Sequence, residues 1–255
     1  MLLNVSNIID MSWLKNPVYK DHIRSVLYIW QGGMVSGNAV ADVLSGKVSP
    51  SGKLTDTIAC SLADYPAAND FGGTVRNFYT EDIYVGYRYF ETFCPEKVMY
   101  EFGFGLSYSK FDIEILKAET VTEESKVGGA WGSHGVSIDN GTCAGKEVQI
   151  TICVKNTGDC RGKEVVQVYV QAPQGKLGKP ARELKAFAKT KELAPGEKQE
   201  MTLHIPVKNL ASYDDSGVTG HKSCYVSEAG AYVSMWEIVC GIRKSQMSME
   251  KEHIS

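Results

Sequence analysis

Apolar and polar residues follow two different rhythms along this chain. From about residue 107 the rhythm is two: Phe111, Ile113 and Ile115, then Val148, Ile150, Ile152 and Val154, then Met201, Leu203 and Ile205, with a denser apolar run over residues 165–170. Alternation at that period places successive side chains on opposite faces, so each run predicts a strand with one face buried. Asn156-Thr157-Gly158-Asp159 and Ala194-Pro195-Gly196-Glu197 supply turns between them, because glycine reaches positive φ, proline presets φ, and Asn or Asp bonds nearby backbone. About seven such strands form an antiparallel all-β sandwich over residues 107–243. Residues 120–145, rich in Gly, Ser, Glu and Thr, read as a flexible insertion between the first two strands, and residues 244–255 as a polar linker or tail.

The first 106 residues obey another pattern. Residues 2–9 and 26–30 are predominantly apolar, as strands buried on both faces of a parallel sheet are. Residues 13–24 predict a helix interrupted by Pro17. Gly32 and Gly33 turn the chain, and Ala39, Val40, Val43 and Leu44 repeat at helical spacing up to Gly46, where a C-terminal cap belongs. The order β-α-β-α predicts the remnant of an α/β sheet, a partial parallel-sheet domain followed by the all-β sandwich. Residues 58–77 read as looped or extended.

These stretches also carry a resemblance. GGMVSGNAVADVLSGKVSPSGKL, YTEDIYVGYRYFET and FGFGLSYSKF resemble three consecutive blocks that close the α/β sandwich domain of family 3 glycoside hydrolases, the β-glucosidase and β-xylosidase family. VKNTGDCRGKEVVQVYVQAP through ELKAFAKTKELAPGEKQEMTLHIP is similar to the fibronectin type III-like domain of many members. The resemblance implies a fragment, with residues 1–106 ending the sandwich domain, of a parent that hydrolyses terminal β-glycosidic bonds of β-linked oligosaccharides or glycosides with retention, in carbohydrate metabolism and without a cofactor. It also implies a missing partner, the (β/α)8 barrel. Retention requires two carboxyl groups about 5–5.5 Å apart. In the family the nucleophile is a barrel aspartate, and the acid/base is typically a glutamate upstream of the first block. Neither motif occurs in this chain, so no catalytic residue is carried onto it and the chain alone is expected to be inactive. The other reading is a non-catalytic accessory module that binds carbohydrate or another protein.

A length of 255 residues with 43% apolar content suits two globular domains. A net charge of −3, from 27 basic and 30 acidic residues mixed along the chain, gives no basic stripe for nucleic acid and no polybasic patch for a membrane. MLLNVSNIID lacks the pattern of a signal peptide, so the chain reads as soluble and cytoplasmic. Seven cysteines without C-x-x-C spacing, and histidines that stand apart from them, predict free thiols and no metal; Cys153 and Cys160 are the one pair whose spacing could flank a hairpin.

The densest chemistry lies in residues 78–93, FYTEDIYVGYRYFETF, read here as extended chain. It holds too many aromatics for one buried strand face; packing inside their own domain is the first expectation, and the resemblance, which runs this segment along the barrel, makes Phe78, Tyr79, Tyr84, Tyr87 and Tyr89 the candidates for docking onto the barrel or for contact with sugar. Glu81 and Asp82 tempt as a carboxylate pair, but neighbours on a strand point to opposite faces, and pairing of one with Arg88 or Arg76 is the expectation. Glu91 and Glu101 have no better claim. Asp10 is placed as a helix cap and Asp42 in polar surroundings. No G-x-S-x-G elbow and no P-loop ending accompanies the glycines.

Overall fold

The computed structural model describes residues 1–70, 72–122, 146–237 and 245–248. Strands β1 (Leu2–Leu3) and β2 (Leu27–Tyr28) pair in parallel, as expected, but each is only two residues long. Val5, Ile8 and Ile9 leave the expected strand and pack from the following loop onto a small core of Leu3, Met11 and Ile58. The helix expected over residues 13–24 is instead a 3-10 turn, Ser12–Lys15, and a single turn α1 (Pro17–Lys20). Proline disfavours helical geometry in the residue before it, and Asn16 is extended, its side chain accepting from the Val18 N–H at 2.9 Å to start the new turn. Asp10 does cap the entry, accepting from Ser12 N–H at 2.7 Å and also from Leu62 N–H at 3.1 Å.

Helix α2 (Ser36–Leu44) forms where the period predicts it, and Gly46, at φ +77°, closes it in the left-handed conformation. Asp42 lies exposed beside Lys47 at 3.0 Å. Strand β3 (Ile58–Ala59), helix α3 (Tyr87–Phe93) and β4 (Val98–Tyr100) complete this portion, with β3 and β4 antiparallel. Helix α3 replaces the extended chain expected there.

The remaining strands are β5 (Phe111–Thr122), β6 (Lys146–Asn156), β7 (Val165–Gln171), β8 (Glu183–Lys189), β9 (Lys198–Pro206), β10 (Ser212–Asp214), β11 (Cys224–Val226), β12 (Val233–Glu237) and β13 (Ser245–Ser248). Two antiparallel sheets, ordered β5-β6-β9 and β13-β12-β7-β8, face each other. Val148, Ile150, Ile152 and Val154 of β6 meet Val166, Val168 and Val170 of β7 and Leu203 and Ile205 of β9, as the alternation predicts. Each fully buried aliphatic side chain here contributes about 1.5–3 kcal/mol relative to exposure. A bulge between Ile115 and Lys117 resets the alternation of β5, leaving Leu116 exposed and Ala118 against the core. Residues 245–248, expected as polar tail, pair with β12 as an edge strand, which needs backbone bonds rather than an apolar face. Most of the expected insertion, residues 123–145, lies outside the described residues, while residues 120–122 belong to β5.

The β10–β11 hairpin is fixed by one carboxylate. Asp214, wholly buried, accepts from Gly217 N–H at 2.6 Å, Thr219 N–H at 2.9 Å, Thr219 Oγ1 at 2.6 Å and Ser216 Oγ at 3.1 Å. These bonds, the Thr219 hydroxyl foremost, hold its carboxyl well below the usual aspartate range. A depressed folded-state pKa adds stability above the unfolded value, about 3.9, and that stability is lost as pH falls through and below it. Asp214→Asn is therefore expected to lower Tm most near pH 7, with the gap to wild type shrinking as pH falls toward 3; a gap constant across that range in calorimetric scans contradicts this reading.

Candidate functional site

Of the candidate residues in the 78–93 segment, Tyr87 lies where the α/β portion meets β7. The chain crosses between the two parts through Glu101-Phe102-Gly103-Phe104-Gly105, where Gly103 is required by its left-handed φ and Gly105 by close approach of backbone. Gly103, at φ +83°, lies against the Gln167 side chain, and Gly105 leaves no room for a Cβ against the Gly52 carbonyl. Lys53 Nζ donates to the Gly105 carbonyl at 2.9 Å and pairs with Glu164 at 2.9 Å, with the two side chains only 8% and 3% exposed. Lys189 Nζ donates to the Ser51 carbonyl at 3.0 Å, and burial, with Lys163 nearby, pushes its ammonium below the ordinary lysine range. Buried Asn156 fastens the entry to the sandwich, accepting from Ser109 Oγ at 2.6 Å and donating to the Cys160 and Leu193 carbonyls at 2.8 Å.

At the other end of the junction, Gly86 at φ +59° breaks the preceding turn and starts α3, whose residues separate by face. Phe90, with no exposed surface, joins Ala59 and Cys94 in a core of their own portion. Tyr87 and Glu91, four residues apart, face the sandwich. The Tyr87 ring lies 4.9 Å from Phe102 and 5.7 Å from Tyr169, and its oxygen accepts from Leu184 N–H at 2.8 Å. Glu91 takes Arg182 in a two-point grip, Nη2 to Oε1 at 2.6 Å and Nε to Oε2. The Arg182 guanidinium sits 4.6 Å from the Tyr169 ring centre. Between these groups opens a cleft of about 330 Å³ lined by Thr57, Tyr87, Glu91, Glu101, Phe102, Gln171 and Arg182 among others.

The five candidate aromatics divide. Phe78 and Tyr79 are 64% and 94% exposed. Tyr84 is half-buried, 4.8 Å from Phe93, and Tyr89 packs on Phe90 and Phe93 at 5.4 and 5.5 Å. Tyr87, Tyr84 and Tyr89 thus serve internal packing first, whereas Phe78 and Tyr79, with Phe93 at 57% exposure, face outward. Glu81 and Asp82 occupy a turn before the helix, Asp82 at φ +49° and exposed, and burial raises the Glu81 carboxyl above the usual range. Arg88, expected to pair with one of them, instead lies 3.5 Å from Glu183 and 5.9 Å from the Tyr87 ring centre, because its place on a helix turns it toward the sandwich. Cys153 and Cys160 are free, as are Cys60, Cys94 and Cys224. Among the described residues no three side chains form a metal-holding group, and no helix is long and apolar enough to cross a membrane.

The sequence reading set Glu91 aside as a catalytic carboxylate and did not single out Thr92, Arg182 or the Lys53–Glu164 pair. The helical spacing of Tyr87 with Glu91 and of Tyr89 with Phe93 was the available signal for the first two.

The Lys53–Glu164 pair yields a stability prediction. Removing one partner of a buried pair leaves the other charge uncompensated, at about 3–5 kcal/mol. Lys53→Met is expected to lose that much in urea denaturation, and Lys53→Met with Glu164→Leu to recover a large part of it; additive losses in the double variant would show that the pair carries no coupling.

Comparison with known proteins bears on the same regions. The model of the glycosyl hydrolase family 3 C-terminal domain matches residues 1–108, and that of the fibronectin type III-like domain matches residues 164–235. A β-glucosidase of Ruminococcus albus is 47% identical over 91% of this chain and 22% of its own length. Beta-glucosidase A of Butyrivibrio fibrisolvens is 46% identical over 91% of this chain and 27% of its own. Among solved structures, a β-glucosidase from Paenibacillus barengoltzii superposes with a TM-score of 0.85 at 49% identity, covering 98% of this chain and 25% of that one. The chain thus spans about a quarter of the length of the relatives it matches.

Proposed function

The chain belongs to glycoside hydrolase family 3, and we propose that it supplies the closing part of an α/β sandwich domain, about residues 1–106, and a fibronectin type III-like domain, about 107–243, to a retaining β-glucosidase-like enzyme. In this reading the substrate is a terminal β-linked glycoside, the reacting carboxyl groups belong to the rest of the enzyme, and the isolated chain does not turn over substrate. The observation that carries the reading is the coverage: nine-tenths of this chain matches β-glucosidases, against about a quarter of their length. The junction carboxylates support it, since Glu91 and Glu164 are each engaged with a basic partner rather than poised for chemistry.

The outward aromatics are the docking surface for the (β/α)8 barrel. Phe78, Tyr79 and Phe93, with Ile83 and Val85 at 45% and 54% exposure, are exposed apolar side chains within one 16-residue segment, which a protein surface would cover. The free thiols of the described cysteines suit a reducing, cytoplasmic setting.

Assay of the purified chain on nitrophenyl β-glucoside and nitrophenyl β-xyloside tests the proposal. No turnover above buffer is expected. Turnover that survives repurification and disappears in Glu81→Gln or Asp82→Asn would overturn it, because catalysis would then reside in this chain.

A further inference from the structure

Helix α3 has seven residues, too few to persist in water without tertiary contacts. Phe90 anchors it in the core of its own portion. Tyr89 packs beside Phe90 against the same core, so these neighbours set where the helix lies. The opposite face is held from the sandwich side, where Tyr87 meets Tyr169 and the polar contacts all come from one short piece of chain. Ala181 N–H donates to Thr92 Oγ1 at 2.9 Å, Arg182 grips Glu91, and Leu184 N–H donates to the Tyr87 oxygen. The grip itself is braced, since the Arg182 guanidinium lies on Tyr169, a residue with 1% exposure at the middle of β7.

From this arrangement we propose that residues 181–184, where the chain enters β8, act as a clamp on α3, with Arg182 as the positioning residue. The sandwich thereby fixes which face of the helix turns outward, the one carrying Phe93 with the Tyr84 ring edge-on against it. The consequence for docking rests on the reading of that surface given above. The clamp does not, and it can be tested in the chain alone.

Hydrogen exchange followed by mass spectrometry on the full chain distinguishes the clamp from simple anchoring by Phe90. With Arg182→Gln, amides of residues 89–94 are expected to exchange at least tenfold faster while those of β6, β7 and β9 keep their protection. Arg182→Lys should restore little of it, since an ammonium cannot make the two-point contact with Glu91. If Arg182→Gln loosens the sandwich as a whole, Thr92→Val removes the acceptor of Ala181 without touching β7, and faster exchange confined to residues 89–94 supports the clamp. Unchanged exchange at 89–94 in Arg182→Gln, or in Thr92→Val where that variant is needed, alongside faster exchange in Phe90→Ala, overturns it. Neither result depends on whether a barrel docks, so a failed clamp and a failed docking surface are told apart.

Discussion

Burial of β7 on both of its faces is the constraint from which the rest of the arrangement follows. Val166, Val168 and Val170 close the core between the two sheets, while Gln167 and Tyr169, at 7% and 1% exposure, point to the other side. That side is polar enough to need partners and flat enough to accept a neighbour. Tyr169 Oη donates to Gln167 Oε1 at 3.0 Å, so the two satisfy each other and present a surface of ring and amide. The α/β portion lies on it through Tyr87, Phe102 and the bare backbone at Gly103. The two portions are therefore joined across the middle of a strand rather than by a linker.

Charge closes the edges of this contact. Lys53 with Glu164 and Arg182 with Glu91 sit at opposite ends of the junction, and each pair is held at least in part away from water. Such pairs add little net stability compared with a well-packed apolar contact, because desolvation opposes the attraction. What they add is specificity of arrangement: a shifted junction would strand a buried charge. The same logic explains Lys179, 5% exposed, which joins Glu228 and the Pro173 carbonyl and so holds the loop beside Tyr84.

How much of this the sequence revealed follows from how local each feature is. The strands of the sandwich were legible because Val148 to Val154 and Met201 to Ile205 alternate within single segments, and helix α2 because its period and Gly46 lie within eleven residues or so. The run Glu164-Val165-Val166-Gln167-Val168-Tyr169-Val170 also carried a quieter sign, apolar or aromatic residues on both faces, which is what two-sided burial demands. Within residues 78–93, the stretch 87–93 is helical rather than extended as expected, because aromatic density favours strands on average whereas Gly86 and the four-residue spacings set a helix. The grip of Arg182 on Glu91 was out of reach, since its partners lie 91 positions apart and only the fold brings them together. The short β1 and β2 show the converse: an apolar run states that residues 2–9 are buried, not that all of them join a ladder.

If the junction is a shared core, the α/β portion and the sandwich must lose their structure together. Differential scanning calorimetry of the full chain at neutral pH measures this directly. The account predicts one transition whose calorimetric and van't Hoff enthalpies agree. Two separable transitions, the earlier one unaffected by Lys53→Met, would contradict it, because the two portions would then be independent bodies and β7 would be an ordinary strand with one face to solvent.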